Sequence, residues 1–406
     1  MSLIVQKYGG TSVGDPNRIL NVARRVIATQ EEGHRVVVVV SAMSGVTDSL
    51  LKLAREVCIG KEPPEREMDV LLATGEQTTI ALLAMALQGM GKQAISLTGK
   101  QAGILTDEGH TRAKIRNISP SRIHQMLDDG NIVVVAGFQG ETAEGHTTTL
   151  GRGGSDLTAI AIASAIKADM CQIYTDVEGV FTCDPRIVKD ARKLEELSYD
   201  EMLEMASSGS KVMQSRSVEF AKKYGVPFEV RSSFSQQPGT IVKEETMSME
   251  QVVIRGISLE RNQAKVTLPK VSDTPGVASR IFKSIADAGI VVDMIVQTVS
   301  TNGTTDISFT LNKDDLPRVK TVLNAVVEDL GSRLVAQDGI AKLSVVGIGM
   351  RTHAGVAARV FEALGEGGIN IQMISTSEIK IAVVINESEA TEAANIVHKA
   401  FDLATA

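Results

Sequence analysis

Four stretches of this chain combine glycine with hydroxyl, cationic or acidic side chains in patterns that suit phosphate or carboxylate chemistry. The first is Lys7-Tyr8-Gly9-Gly10-Thr11-Ser12-Val13, set between an apolar run at 3–8 and a helical pattern from Pro16. A strand–glycine turn–helix junction can wrap backbone N–H groups around a phosphate, with Thr11 and Ser12 adding hydroxyls and Lys7 a point charge. The same pattern also makes a plain turn, and no Walker A motif is present. The second stretch, Ser41-Ala42-Met43-Ser44-Gly45-Val46-Thr47-Asp48, again follows a strand pattern and enters a helix, with Thr47 or Asp48 as the expected cap.

The third stretch is Gly151-Arg152-Gly153-Gly154-Ser155-Asp156. Arg152 suits bidentate carboxylate or phosphate recognition, while Ser155 and Asp156 could serve simply as helix caps. Three glycines around one arginine favour a binding role. The fourth, Thr175-Asp176-Val177-Glu178-Gly179-Val180-Phe181 with Asp184-Pro185-Arg186, offers an acid, an aromatic ring and an arginine on one loop. That is equipment for a nucleotide, or else a surface turn. Cys183 in this loop and His34, His124 and His398 elsewhere are expected to be solvated. The six histidines form no metal-spaced pair, and no metal site is expected. A carboxylate nucleophile is ionised at neutral pH and needs no general base, so phosphoryl transfer to it depends on positioning and charge neutralisation.

The elements that must hold these residues read clearly. Strand patterns at 3–8, 35–41, 93–97, 131–137, 171–175 and 227–231 alternate with helical patterns at 17–30, 68–87 and 156–168. This predicts an α/β domain of three layers, a mainly parallel sheet covered by helices on both faces, with ligands at the carboxyl ends of its strands. At 232–245 the texture turns to Ser, Gln, Pro and Gly, which places a linker there and the first domain at 1–245.

Beyond it lies a duplication. At an offset of 79, nine of the twenty positions 276–295 are identical to 355–374, including Gly276/Gly355, Phe282/Phe361 and Met294/Met373. Asp273 or Thr274 is expected to cap the helix that opens the first copy. That copy (264–338) ends with a strand, whereas the second ends without one. The apolar segment at 251–259 is therefore expected to complete the second copy, which would comprise 249–263 and 339–406 with the first inserted into it.

Composition excludes some classes. A net charge of −7 and 3% aromatic residues leave no basic face or stacking platform for nucleic acid, nor a basic surface for an anionic membrane. The longest uninterrupted apolar runs, such as 36–40, are too short to span a bilayer. Three widely spaced cysteines support neither a disulfide framework nor zinc, so a reduced, cytoplasmic setting is expected.

Taken together, residues 7–13, 41–48, 151–156 and 175–186 resemble the aspartokinases of the amino acid kinase superfamily. Asp273-Thr274-Pro275-Gly276 and its repeat resemble the paired ACT domains of the short members, ferredoxin-like βαββαβ modules. The resemblance implies ATP-dependent phosphorylation of L-aspartate to 4-phospho-L-aspartate, with Mg²⁺ accompanying the nucleotide. It opens lysine, threonine and methionine synthesis and is inhibited by lysine, threonine or both. It assigns Lys7 to the transferring phosphoryl group, beside Gly9 and Gly10, and Arg152 to a substrate carboxylate. Glu76 and Asp156 would face the substrate ammonium, and Ser41, Thr47, Gly153, Gly154 and Ser155 would complete the substrate site. Thr175, Asp176, Phe181, Arg186 and Lys211 would surround ATP. Effector contacts would come from Asp273, Gly276, Val277, Ala278, Asp293, Gln297, Asn370 and Ile371. The implied assembly is a homo-oligomer, or an α2β2 complex whose regulatory subunit starts at Met247 or Met249. Tyr8, Phe181 and Ala354 depart from the family's usual Phe, Tyr and Pro. Kinases of glutamate, acetylglutamate or UMP are the rival enzymes, and a catalytically inactive amino-acid sensor the rival from another class.

Overall fold

The computed structural model describes residues 1–207, 212–244, 253–298, 303–348, 350 and 355–404. Contacts divide the chain into two compact units. The first takes the described residues of Met1–Val180, Lys193–Ser207 and Lys211–Met247, and the second those of Phe181–Arg192 and Ser248–Ala406.

The first unit opens with β1 (Leu3–Tyr8), α1 (Pro16–Glu31), β2 (Arg35–Val40), α2 (Val46–Val57), α3 (Glu65–Gly89), β3 (Ala94–Leu97), β4 (Ile104–Thr106) and β5 (Ile115–Ile118). It continues through α4 (Ser121–Asp128), β6 (Ile132–Ala136), β7 (Gln139–Glu141), β8 (Thr147–Thr149), α5 (Gly154–Ala165) and β9 (Met170–Thr175). Then follow β10 (Glu196–Ser198), α6 (Tyr199–Ser207), α7 (Ser215–Tyr224), β11 (Phe228–Ser232) and β12 (Thr240–Lys243). Eight strands form one sheet in the order β10-β12-β11-β9-β1-β2-β6-β3, parallel except between β11 and β12.

The valine runs explain the sheet's centre. In β2, Val36, Val38 and Val40 join the core beneath α1 and α3, while Val37 and Val39 are buried on the opposite face, where α5 packs. A strand buried on both faces needs apolar residues at every position, which is the three-layer α/β/α arrangement. A second, four-stranded sheet, β5-β4-β7-β8, is built from strands of three or four residues.

Two local expectations need correction here. Gly45 holds the N-cap position of α2 with a left-handed backbone (φ 79°), so Thr47 and Asp48 lie inside the helix and do not cap it. Helix α3 is long and apolar enough, by length and composition, to cross a membrane. Polar residues interrupt its apolar run, so scanning for unbroken runs misses it; half of that stretch is buried in the fold.

The second unit contains β13 (Val253–Ser272), α8 (Val277–Asp287), β14 (Val292–Thr298), β15 (Thr304–Asn312), α9 (Leu316–Asp329) and β16 (Val335–Ile348). It is completed by α10 (Val356–Glu366), β17 (Met373–Thr376), β18 (Lys380–Asn386) and α11 (Ala390–Ala400). Its antiparallel sheet has the order β14-β15-β13-β16-β18-β17. Strand β13 serves two cores. Ile257 and Leu259 pack with α10 and α11, whereas Ala264, Val266 and Leu268 pack with α8 and α9. The pairing with β16 shifts between Glu260 and Lys265, and such a slip turns the opposite set of side chains inward. Gly276 (φ 94°) occupies the N-cap of α8, so neither Asp273 nor Thr274 caps it.

Phe181–Arg192 is built into this second unit. Phe181 and Ile187 pack against the core of α10 and α11, and the Ile257 N–H donates to Thr182 O at 2.7 Å. Cys183 and His398, expected in solvent, are both buried here. Burial pushes the Cys183 thiol up to about 12, and it lowers the His398 imidazole, whose Nε2 lies 2.9 Å from the Thr182 hydroxyl.

Candidate active site

Strands β1, β2 and β6 are parallel neighbours, so the turns after them leave the sheet along one edge. With the starts of α2 and α5 these turns enclose a cleft of about 810 Å³. The close approach is dictated by glycine. A Cβ on Gly10 would lie 2.9 Å from the carbonyl oxygen of Ala42, in the neighbouring turn. Gly10→Ala is therefore expected to cost roughly 1–3 kcal/mol of stability through overpacking. A thermal melt checks this, and an unchanged midpoint would show that the two turns separate freely.

Alternation along β1 sends Val5 and Lys7 toward α5 and Gln6 and Tyr8 toward α1. Lys7 thereby meets Asp156 in the first turn of α5, with Nζ 2.6 Å from Oδ1 and both residues under a tenth exposed. Gly153 enters that helix with φ 69°, and no side chain caps it. Ser155 and Asp156 accordingly belong to the first turn, lining the cleft. The N-termini of α2 and α5 both open here, and helix N-termini favour anions.

Glu76 reaches the cleft from α3. A Cβ on Gly75 would sit 2.8 Å from that of Ala42, and this tight packing lets Glu76 Oε1 accept from the Ala42 N–H at 3.0 Å. Oε2 has no hydrogen-bond partner among the described residues, and the residue is 3% exposed. Burial raises the carboxyl from 4.5 to about 7, against the opposing pull of the Ala42 N–H. Arg152, on the rim, is exposed and makes no hydrogen bond or ion pair with the described residues.

The cleft thus gathers Lys7, Gly9, Gly10, Ser41, Thr47, Glu76, Arg152, Gly153, Gly154, Ser155 and Asp156. Thr175 and Asp176 lie at the end of β9, next to β1, where the Gly9 N–H donates to Tyr174 O at 3.3 Å. Phe181 packs in the second unit, and Arg186 there pairs with Asp184 at 2.7 Å. Lys211, Met247, Met249 and Ala354 lie outside the described residues. Thr111, Phe138, Thr149 and Gln214 also line the cleft. The run of threonines before Gly151 hinted at Thr149; nothing local marks the others.

In the second unit Gly276, Val277 and Ala278 start α8, Asp293 and Gln297 lie on β14, and Asn370 and Ile371 precede β17. Val277 is buried in the core and leaves only its backbone to a ligand. Asp293 is held by Lys342, whose ammonium also lies 2.6 Å from Glu260 Oε2.

Comparison with known proteins decides the family. The amino acid kinase family matches residues 2–232, and the ACT domain matches 269–326 and 343–401. An aspartokinase of Pseudomonas aeruginosa is 53% identical over 406 residues, spanning 99% of this chain and 98% of its own. The chain belongs to the aspartokinase family. It is accordingly a phosphotransferase, an aspartate kinase with a kinase domain followed by ACT domains. A Geobacillus stearothermophilus aspartokinase is 52% identical over 404 residues, 100% of this chain and 98% of that one. Among solved structures, E. coli aspartokinase III in complex with aspartate and ADP (R-state) superposes with a TM-score of 0.82 at 26% identity, over 98% of this chain and 100% of that one. The same enzyme in complex with lysine and aspartate (T-state) gives 0.76, over 98% and 99%.

Proposed function

We propose that this enzyme transfers the γ-phosphoryl group of ATP to the side-chain carboxylate of L-aspartate, yielding ADP and 4-phospho-L-aspartate. One observation carries this: a single cleft pairs a guanidinium, Arg152, with a buried carboxyl oxygen, Glu76 Oε2, and neither has a polar partner among the described residues. A zwitterion with an extra carboxylate satisfies both. Its carboxylate takes the Arg152 fork, and its ammonium relieves the unpartnered Glu76. The second carboxylate is left to face Lys7 and the N-terminus of α5.

The reaction then needs no base. A carboxylate oxygen of the substrate forms a bond to the γ-phosphorus, the bond from that phosphorus to the bridging oxygen breaks, and ADP leaves with the electron pair. Lys7, held by Asp156, neutralises the phosphoryl oxygens, and the Gly9–Gly10 turn and helix dipoles supply further positive potential. Among the described residues no three His, Cys, Asp or Glu side chains group to hold a metal ion. Mg²⁺ would be held chiefly by the nucleotide phosphates and would supply charge neutralisation there. Thr175 and Asp176, at the end of β9, are assigned to ATP.

The ACT domains are assigned to feedback control by lysine, threonine or both, through Asp273, Gly276, Val277, Ala278, Asp293, Gln297, Asn370 and Ile371. The E. coli relative solved with lysine, and with aspartate and ADP, supports both assignments. The enzyme would open lysine, threonine and methionine synthesis in the cytoplasm, as a homo-oligomer or with a separately initiated regulatory subunit. Coupled ADP release measured with aspartate, glutamate, acetylglutamate and UMP tests the substrate. Turnover is expected with aspartate, and turnover with glutamate alone would sink the proposal. Titrating lysine and threonine, singly and together, in the same assay identifies the effector.

A further inference from the structure

We infer that Asp69 and His110 are positioning residues for the Arg152 turn, fixing where its guanidinium meets the substrate carboxylate. The inference rests on the proposed role of Arg152. Asp69 lies on α3 seven residues before Glu76, two helical turns away and on the same face. It is fully buried, and both of its oxygens are engaged. The Thr111 N–H donates to Oδ1 at 3.0 Å and to Oδ2 at 3.1 Å. His110 Nδ1–H donates to Oδ2 at 2.7 Å, and the Thr149 hydroxyl donates to Oδ1. The proton is assigned to Nδ1 because a carboxylate can only accept.

These donors come from two separate segments, the turn between β4 and β5 and the last residue of β8. Both Thr111 and Thr149 line the cleft. Thr111 holds a left-handed backbone (φ 63°), uncommon for a β-branched residue, and the bifurcated bond from its N–H pins it there. Gly151 packs directly on it, since a Cβ at Gly151 would lie 3.2 Å from Thr111 O. Arg216 closes the other side, donating to Leu150 O and Ala113 O at 2.8 Å each, while the Ala113 N–H donates to Thr149 O at 2.9 Å. The backbone leading into Arg152 is therefore fixed from both sides, whereas the Arg152 side chain makes no hydrogen bond or ion pair among the described residues. Among the described residues, Asp69 is the carboxylate that joins these cleft segments to the helix carrying Glu76. It therefore sets the spacing between the groups that read the substrate's α-carboxylate and its ammonium.

The test is a double-mutant cycle with steady-state kinetics in both substrates. Asp69→Asn and His110→Gln are each measured in the wild-type and Arg152→Ala backgrounds. Alone, each is expected to raise KM for aspartate about tenfold, with kcat within about threefold and KM for ATP unchanged, because uniform binding is lost. In the Arg152→Ala background the same changes are expected to add less than about twofold, since coupled residues are not additive. An equal rise in both backgrounds, or no rise in a folded variant, overturns the inference while leaving the role of Arg152 standing. If Arg152→Ala itself leaves KM for aspartate unchanged, the proposed role of Arg152 falls, and the inference with it. Should Asp69→Asn melt early, Thr149→Val runs the same cycle.

Discussion

Lys7→Ala is expected to lower kcat by about 10³-fold while leaving KM for aspartate within a few-fold. The reason is geometric. Lys7 is the buried cation at the floor of the cleft, 2.6 Å from Asp156, where alternation along β1 turns it toward the N-terminus of α5. Charge grows on the phosphoryl oxygens and the leaving oxygen as the reaction proceeds, so this cation matters more to the transition state than to bound substrate. The substitution also strands Asp156, and breaking a buried pair in this way costs about 3–5 kcal/mol. Kinetics should accordingly be paired with a thermal melt at saturating nucleotide. Lys7→Arg keeps the pair and is expected to fold normally with an intermediate rate. A folded Lys7→Ala variant turning over within threefold of wild type would remove Lys7 from the mechanism.

Glu76→Gln is expected to separate stability from function. Burial raises this carboxyl from 4.5 to about 7. A folded-state value above the unfolded one means that the stability associated with the protonated form is fully present below about 4.5. It is lost as pH rises through about 7. The displacement corresponds to about 3 kcal/mol. The amide retains an acceptor for the Ala42 N–H, so the variant should lose less stability than wild type between pH 4.5 and 8. Binding should run the other way. An incoming ammonium favours the ionised carboxylate, so wild-type KM for aspartate should fall about tenfold from pH 6 to 8 as Glu76 gives up its proton. The variant should bind aspartate at least about tenfold more weakly and show no such slope. Denaturation midpoints and KM across that range check both halves; a parallel pH slope in the variant would assign the titration to another group.

Much of this site was legible because its residues sit where strands end. Apolar runs rich in valine or isoleucine marked β1, β2 and β6, and the glycine-bearing turns after β1 and β2 had to converge once those strands paired in parallel. Arg152 and Asp156 stood out by composition. Glu76 did not, since an acid inside an apolar helix has no local signature, and only the family resemblance pointed to it. Asp69 was invisible for a related reason. Its partners lie 41, 42 and 80 residues away, and no periodicity encodes a bond of that separation. The strands of the small sheet are too short to show alternation. Cys183 and His398 read as solvated because their neighbours are polar, yet Phe181–Arg192 folds into the second unit and buries both. The helix starts misread at Thr47 and Asp273 share a cause as well: a left-handed glycine takes the N-cap in each case.

The most direct test of the central claim is to trap the product. An acyl phosphate reacts with hydroxylamine, whereas a phosphate ester does not under the same mild conditions. Incubating the full chain with ATP, Mg²⁺, L-aspartate and hydroxylamine is expected to give aspartyl hydroxamate in one-to-one proportion with ADP. Release of ADP with no hydroxamate, or hydroxamate formed from glutamate and not from aspartate, would contradict the assignment.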